Sequence, residues 1–359
     1  DYCDFDFSVK VEGIERYLRG LATEASGFAG FCRPDLVYFG GGTPSLLSTE
    51  EFDALSDLLS GPLGASRKQL AEWSIEANPE TVTKTKAKHW RSRGVTRVSL
   101  GVQTFSDDRL KRLGRPARAA DARKAWDLLR DAGFDNLNLD LIFGIPGTAM
   151  EDWRQDLREA LALAPEHLSL YALTVEDRTP LGVAVRKGRA EAPAEDLQAA
   201  MYQEAVGVLA GAGLARYEVS NFARPGRECL HNLHTWRQGR YLGIGSSAAS
   251  FVGNVRGANL RGQSRYLRKL RRDGTAFGVE KRLDEAALAR EKLQLGLRLA
   301  EGVVETACGE PVEPRTGSSL DKLGTSGLSG EIDRLISEGL LSRLGGRLVA
   351  LALVLLEQA

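Results

Sequence analysis

Cysteine is scarce in this sequence. Cys3, Cys32, Cys229 and Cys308 are the only four in 359 residues, and no two form a CxxC pair. A chain of this size with so few cysteines is no disulfide scaffold, which points to a reducing, cytoplasmic compartment. Net charge is absent too, with 48 Lys+Arg against 48 Asp+Glu. That leaves no bulk electrostatic drive toward nucleic acid or an anionic membrane. Long hydrophobic runs are also missing. The longest, Leu348 to Leu356, falls far short of the ~20 residues of a spanning helix. The opening Asp1-Tyr2-Cys3 has no Met and no secretory pattern, and it reads as cut from something longer.

What is present is ordinary for a folded protein: 43% apolar and 27% charged residues, enough for a sizeable core. At ~150 residues per domain the length predicts two domains. Glycine, at 39 residues, exceeds the usual share of ~7%. Such a surplus suggests turns where backbone approaches a ligand closely.

Strand and helix signals alternate over two thirds of the chain. Leu36–Phe39, Glu72–Ala77, Thr96–Val102, Leu137–Phe143 and His167–Leu173 read as strands. Helices are predicted after Ser48 (ending near Gly61), over Thr83–Arg93, Ala119–Ala132, Ala149–Leu163 and Glu195–Ala212. This βα order predicts a parallel sheet with helices outside and a ligand at the C-terminal strand edge. From Tyr217 to Arg282 the pattern is irregular and glycine-rich. Helix resumes after Leu283, Thr306–Gly330 reads as a loop, and Glu331–Val349 has the helix-and-wing pattern of a small winged-helix unit.

Gly40-Gly41-Gly42-Thr43-Pro44 joins a strand to a helix. Three glycines expose bare backbone N–H and C=O groups to a ligand. The spacing is neither GxGxxG nor a P-loop, which disfavours dinucleotides and triphosphates. Glu76, Gln103 and Asp140 lie within or just after apolar β-runs, where an unpartnered polar group is costly. Together they suggest one converging polar site, though each alone would read as an internally satisfied group. Arg115 alone reads as a solvated helix-end charge. In Cys229-Leu230-His231-Asn232-Leu233-His234-Thr235-Trp236, imidazole and thiolate are iron ligands and Trp offers a flat face to a macrocycle. A structural loop with a buried His is the plainer reading of the same stretch. His89 and His167 read as structural or exposed, and the basic run Arg265–Arg272 as a solvated helix face.

These stretches carry a resemblance. Tyr2-Cys3-Asp4-Phe5, Gly40–Pro44, Gly101-Val102-Gln103 and Asn138–Gly147 resemble the radical S-adenosylmethionine (SAM) family, in its coproporphyrinogen III oxidase-like branch. Ser169–Thr174 and Tyr217–Gly226 narrow the resemblance to the HemW-type heme chaperones. It covers nearly the whole chain up to about Gly302. The resemblance implies an α/β partial (βα)6 barrel over 1–215, a linking region with a heme motif over 216–282, and a small helical winged-helix-like domain over 283–359. It also implies a [4Fe-4S] cluster, SAM and heme. Cys3 matches the third cysteine of the CxxxCxxC cluster motif. The other two, and the first barrel strand, would fall upstream of Asp1. By the same resemblance Tyr2 lies beside the cluster, Gly41, Gly42, Thr43, Glu76, Gln103, Arg115 and Asp140 match SAM-binding positions, and Ala172 is an adenine-side contact. His231, Asn232 and Trp236 match the heme-associated HNxxYW motif, with Thr235 in place of its Tyr. Ser246-Ser247-Ala248-Ala249 departs from the family's GxGPGAHS. The implied partners are heme and acceptor hemoproteins, respiratory ones among them, with room for a homodimer and for peripheral membrane contact. The oxidase extends its cluster motif by one more cysteine. Phe5 stands there, which turns the reading toward the chaperone and leaves the decarboxylase, or a cut chain without a cluster, as alternatives.

Overall fold

The computed structural model describes residues 13–31, 33–177, 179–304, 334, 336–337, 341–344 and 347–350. Tyr2, Cys3 and the loop expected at Thr306–Gly330 lie outside the described residues. The chain divides into two compact units. The first comprises Asp1–Arg216, Ser220–Glu228 and Arg261–Ala276, and the second comprises Tyr217–Val219, Cys229–Leu260 and Phe277–Ala359.

The first unit is built on one seven-stranded sheet. Its strands are β1 (Leu36–Phe39), β2 (Glu72–Ala77), β3 (Arg97–Gln103), β4 (Leu137–Phe143), β5 (His167–Ala172), β6 (Ala215–Arg216) and β7 (Asn221–Ala223), in the order β1-β2-β3-β4-β5-β7-β6. The first five are parallel, and β7 runs antiparallel to β5 and β6. Helices Thr49–Ser60, Lys84–Arg93, Ala119–Asp131 and Met150–Ala162 form the crossovers that parallel strands need. Their ends are set locally. Ser48 Oγ accepts the Glu51 N–H at 3.1 Å while Glu51 Oε2 accepts the Ser48 N–H at 2.7 Å, a reciprocal cap. Gly94, at φ 102°, closes Lys84–Arg93 in the left-handed conformation.

Strand side chains alternate with period two, and the two faces differ in kind. One face carries Trp73, Ile75, Val98, Leu100, Leu139, Leu141, Leu168 and Leu170, all buried. Phe52 of the Thr49–Ser60 helix stacks on Trp73 at 6.0 Å between ring centroids. The other face carries Ser74 and Glu76, Arg97 and Ser99, Asn138 and Asp140, His167 and Ser169. Register aligns Glu76 with Ser99, Ser99 with Asn138, and Asn138 with His167, so a row of polar groups crosses four strands.

The second unit departs from its expectation. Tyr217–Arg282 is not irregular throughout. It holds the helix Leu230–Trp236 and a three-stranded antiparallel sheet, β8 (Ala249–Val252), β9 (Val255–Asn259) and β10 (Phe277–Arg282). Val252 pairs with Val255 across Gly253-Asn254, with Gly253 at φ 64°. Gly-Asn between two short runs is a hairpin signal, but strands of four and five residues are too short for their periodicity to stand out. Farther on, β11 (Val303–Val304), β12 (Leu341–Leu344) and β13 (Arg347–Ala350) pair antiparallel in the order β11-β13-β12. Strand β13 falls where the wing was expected. Val219, Leu293, Leu297, Val303, Leu341 and Leu348 form this unit's core, with Ile336 packed on it.

A buried polar clamp fixes the turn after β3. Asp156, on the helix Met150–Ala162, accepts the Thr104 hydroxyl and the Phe105 N–H, each at 2.8 Å, and Arg109 Nη2 at 3.0 Å. Arg109 Nη1 also reaches Asp152 at 2.9 Å. Removing Asp156 takes from Arg109 the buried one of its two carboxylate partners and from Thr104 and the Phe105 N–H their common acceptor. Asp156→Ala is expected to cost about 3–5 kcal/mol in urea unfolding. A loss under about 1 kcal/mol would mean that water reaches and solvates Arg109.

Candidate functional site

Strand β1 ends in the three glycines, of which the first two are each required for a separate reason. A Cβ on Gly40 would sit 2.8 Å from Glu76 Oε1 and 2.6 Å from the Tyr38 ring. Gly41 stands at φ 101°, which strains any residue with a side chain. A Cβ on Gly42 would meet no atom within 4 Å, and the same holds for Gly41, so this stretch of backbone faces open space. Glu76 secures the turn, with Oε1 accepting the Tyr38 hydroxyl at 2.9 Å and Oε2 the Gly41 N–H at 3.1 Å. Below it, buried Ser45 accepts the Asn78 N–H at 3.1 Å, and Lys86 Nζ donates to the Ser45 carbonyl at 2.9 Å.

Asn78 links the next group. Its Nδ2 lies 3.5 Å from Thr43 Oγ1, and its Oδ1 accepts Arg115 Nη1 at 3.3 Å. Arg115 is therefore no isolated solvated charge. Gln103 ends β3 at φ 69°, buried, where the register with β4 shifts. A left-handed, non-glycine, buried residue is held there by its surroundings, and the Asp156 clamp on Thr104 and Phe105 supplies the hold. A Cβ on Gly101 would lie 3.0 Å from Gln103 Nε2 and 3.5 Å from Asn78 Oδ1, so the Gln103 amide is brought close to Asn78.

Asp140 lies on the polar face of β4. Its Oδ2 accepts Ser99 Oγ at 2.9 Å and its Oδ1 accepts Asn138 Nδ2 at 2.8 Å. Burial pushes the Asp140 carboxyl above the usual range, against the hydrogen bonds of Ser99, Asn138 and Ser169 and the charge of Arg97. Burial likewise raises Glu76. The Tyr38 and Gly41 hydrogen bonds oppose that rise, and the Asp140 charge adds to it. Two carboxylates thus feel each other at the C-terminal strand edge. Ala172 ends β5 in register with Phe143. Gly41, Thr43, Glu76, Gln103, Arg115 and Asp140 converge through these contacts. Gly42 adjoins them, and Ala172 shares only the strand edge. Tyr2 and Cys3, beside the cluster by the resemblance, lie outside the described residues. Tyr38 and Asn78 carry no role in the sequence reading, although Asn78 follows directly on the Glu76-Ala77 signal. His167 is buried and structural, its ring held neutral because burial pushes its pKa well below the usual value.

The heme-motif residues lie in the second unit. Asn232 Nδ2 donates to the Tyr217 hydroxyl at 3.4 Å, and the Cys229 N–H to the same oxygen at 3.3 Å. His231 is half-buried, with its carbonyl accepting the Thr235 hydroxyl at 3.0 Å. His234 Nε2 lies 2.7 Å from the Arg240 carbonyl, which can only accept, so that nitrogen carries the proton. The indole N–H of Trp236 is buried with no acceptor among the described residues, and the Arg298 guanidinium lies 4.4 Å over its ring.

The profile described as "Radical SAM superfamily" matches residues 1–160. The chain is 34% identical to the heme chaperone HemW of Bacillus subtilis (strain 168), over 90% of this chain and 85% of that one. The HemW of Mycobacterium tuberculosis (strain ATCC 25618 / H37Rv) is 36% identical over 98% and 90% of the two chains. This chain belongs to the HemW family of radical SAM proteins. Among solved structures, the coproporphyrinogen III oxidase HemN of Escherichia coli superposes with a TM-score of 0.83. That match covers 99% of this chain and 85% of that one, at 22% identity. It bears out the radical SAM fold. Open backbone at Gly41 and Gly42, beside acceptors Glu76 and Asp140, fits a ligand with donor groups such as SAM. Among the described residues no group of three His, Cys, Asp or Glu could hold a metal, and Cys3 lies outside them.

Raised carboxylates have a signed consequence. The folded state binds the Glu76 proton more tightly than the unfolded chain, so Glu76 lowers stability as pH rises through its titration. Glu76→Gln removes that dependence. The variant's stability relative to the native chain is expected to fall as pH drops from about 7 to about 4, in urea unfolding at each pH. The opposite slope would mean that Glu76 is held ionised.

Proposed function

We propose that this protein is a heme chaperone, which binds heme and delivers it to acceptor hemoproteins from a radical SAM scaffold. The observation that carries the reading is identity of 34–36% over nine tenths or more of this chain to proteins named heme chaperone HemW. The His231–Trp236 segment supports it. Trp236 offers a ring face and an unmatched buried donor, and His231 offers an imidazole for iron. Heme is the cargo here. The first unit would hold SAM, with the Gly41 and Gly42 backbone against its methionine end and Glu76, Gln103, Arg115 and Asp140 around it. Cys3 would be one thiolate of the [4Fe-4S] cluster, whose reduced form supplies an electron to bound SAM.

This chain's own residues bind and orient. Glu76 fixes the glycine turn, Asn78 joins Thr43 to Arg115, and the Asp156 clamp keeps Gln103 in its left-handed conformation. In our reading the acceptors include respiratory hemoproteins and the compartment is the cytoplasm, with room for a homodimer and for peripheral membrane contact. No described helix is long and apolar enough to cross a membrane. The decarboxylase reading has only the HemN fold match behind it, and at 22% identity that match speaks for the fold alone.

Titration of the full-length protein with heme, followed in the Soret band, tests the site. His231→Ala is expected to weaken binding about tenfold or more, the loss of one good ligand. Stoichiometric heme binding unchanged by His231→Ala would remove that residue from the site, and no binding by the native protein would end the chaperone reading.

A further inference from the structure

A buried relay runs behind Asp140 on the polar face of the sheet. His167 Nδ1 lies 2.6 Å from Asn138 Oδ1, and Ser169 Oγ donates to that same oxygen at 3.2 Å. On its other side Asn138 Nδ2 donates to Ser99 Oγ at 2.7 Å and to Asp140 Oδ1 at 2.8 Å. Asn138, His167 and Ser169 are all buried. His167 is thus the close donor to the Asn138 carbonyl, Ser169 divides its single proton between that oxygen and Asp140, and two acceptors converge on the Asn138 amide. Since an amide oxygen only accepts, His167 must present Nδ1–H to it.

This arrangement decides which way the Asn138 amide faces. Turned over, it would set its oxygen against the Asp140 carboxylate, acceptor to acceptor. His167 and Ser169 favour one orientation from behind, and a neutral, buried imidazole can do so at any physiological pH. We propose that His167 is a positioning residue: through Asn138 it aims Asp140 into the barrel as an acceptor for SAM. This rests on the SAM reading of the glycine-turn site, and it assigns a task to a histidine that touches no ligand there.

The charged and titratable groups acting on Asp140 are Glu76 of β2 and Arg97 of β3, with His167 of β5 behind Asn138. The charges of Glu76 and Arg97 are themselves unaltered when His167 is changed. Loss of the lock therefore acts on Asp140 through its Asn138 donor. A carboxylate that loses a donor titrates at higher pH.

The test is the SAM dissociation constant of the full-length, cluster-reconstituted protein, by equilibrium dialysis from about pH 5 to about pH 8. His167→Leu keeps the bulk but cannot donate. It is expected to weaken SAM about tenfold near neutral pH and to move the binding midpoint to higher pH. His167→Asn restores a donor near the Nδ1 position and is expected to recover both. Should the leucine variant fail to fold, Asn138→Ala must reproduce the loss and the shifted midpoint. If Asp140→Asn weakens SAM while His167→Leu leaves affinity and midpoint unchanged, the relay is wrong and the SAM site stands. If Asp140→Asn has no effect either, the SAM reading falls and takes the relay with it.

Discussion

One constraint governs the first unit: its parallel sheet carries a polar inner face that must be satisfied without bulk water. Ordinary strands of this kind, covered on both sides, are apolar throughout. Here Glu76, Arg97, Ser99, Asn138, Asp140, His167 and Ser169 share one face, and the hydrogen bonds in hand run from His167 through Asn138 to Ser99 and Asp140. Burial raises both Asp140 and Glu76. In the proposed function, carboxylates kept at that cost would accept from a ligand that brings donors, and the open backbone at Gly41 and Gly42 would give it a place to lie.

The rest of the unit holds this face still. Asp156 and Arg109 clamp the turn that carries Gln103, Ser45 and Lys86 fix the chain after the glycines, and Tyr38 and Gly41 fix Glu76. The apolar face does the folding, with Trp73, Phe52 and the leucines of β3, β4 and β5 under the crossover helices. The apolar core and the polar network thus lie on opposite sides of the same strands. Each strand's alternation serves both.

Much of this was legible in the sequence. Strands β2 and β4 lie where their alternation put them, because their apolar halves are unbroken. The caps Ser48 and Gly94 mark helix ends by local chemistry. Glu76, Gln103 and Asp140 stood out as polar residues within or just after apolar runs, and the structure brings them together. Arg115 required the resemblance, since its partner Asn78 is 37 positions away. His167 was readable as structural but not as a relay, because its contact with Asn138 exists only once β4 and β5 are in register. The β8–β10 sheet was hidden by short strands, although Gly253-Asn254 announced its hairpin. His231, Asn232 and Trp236 were found by their motif. The orphaned indole of Trp236 and the Arg298 guanidinium over its ring are facts of packing that no motif states.

Heme delivery is the claim on which the account turns, and transfer measures it most directly. Full-length protein loaded with heme is mixed with an apo-form b-type cytochrome under anaerobic conditions, and the cytochrome spectrum is followed against free heme at equal concentration. The cytochrome is expected to gain its heme from the loaded protein, with loss of the chaperone's own Soret signal, and to do so when a protein scavenger has removed free heme. Transfer that vanishes with the scavenger, or heme that never leaves the loaded protein, would contradict it.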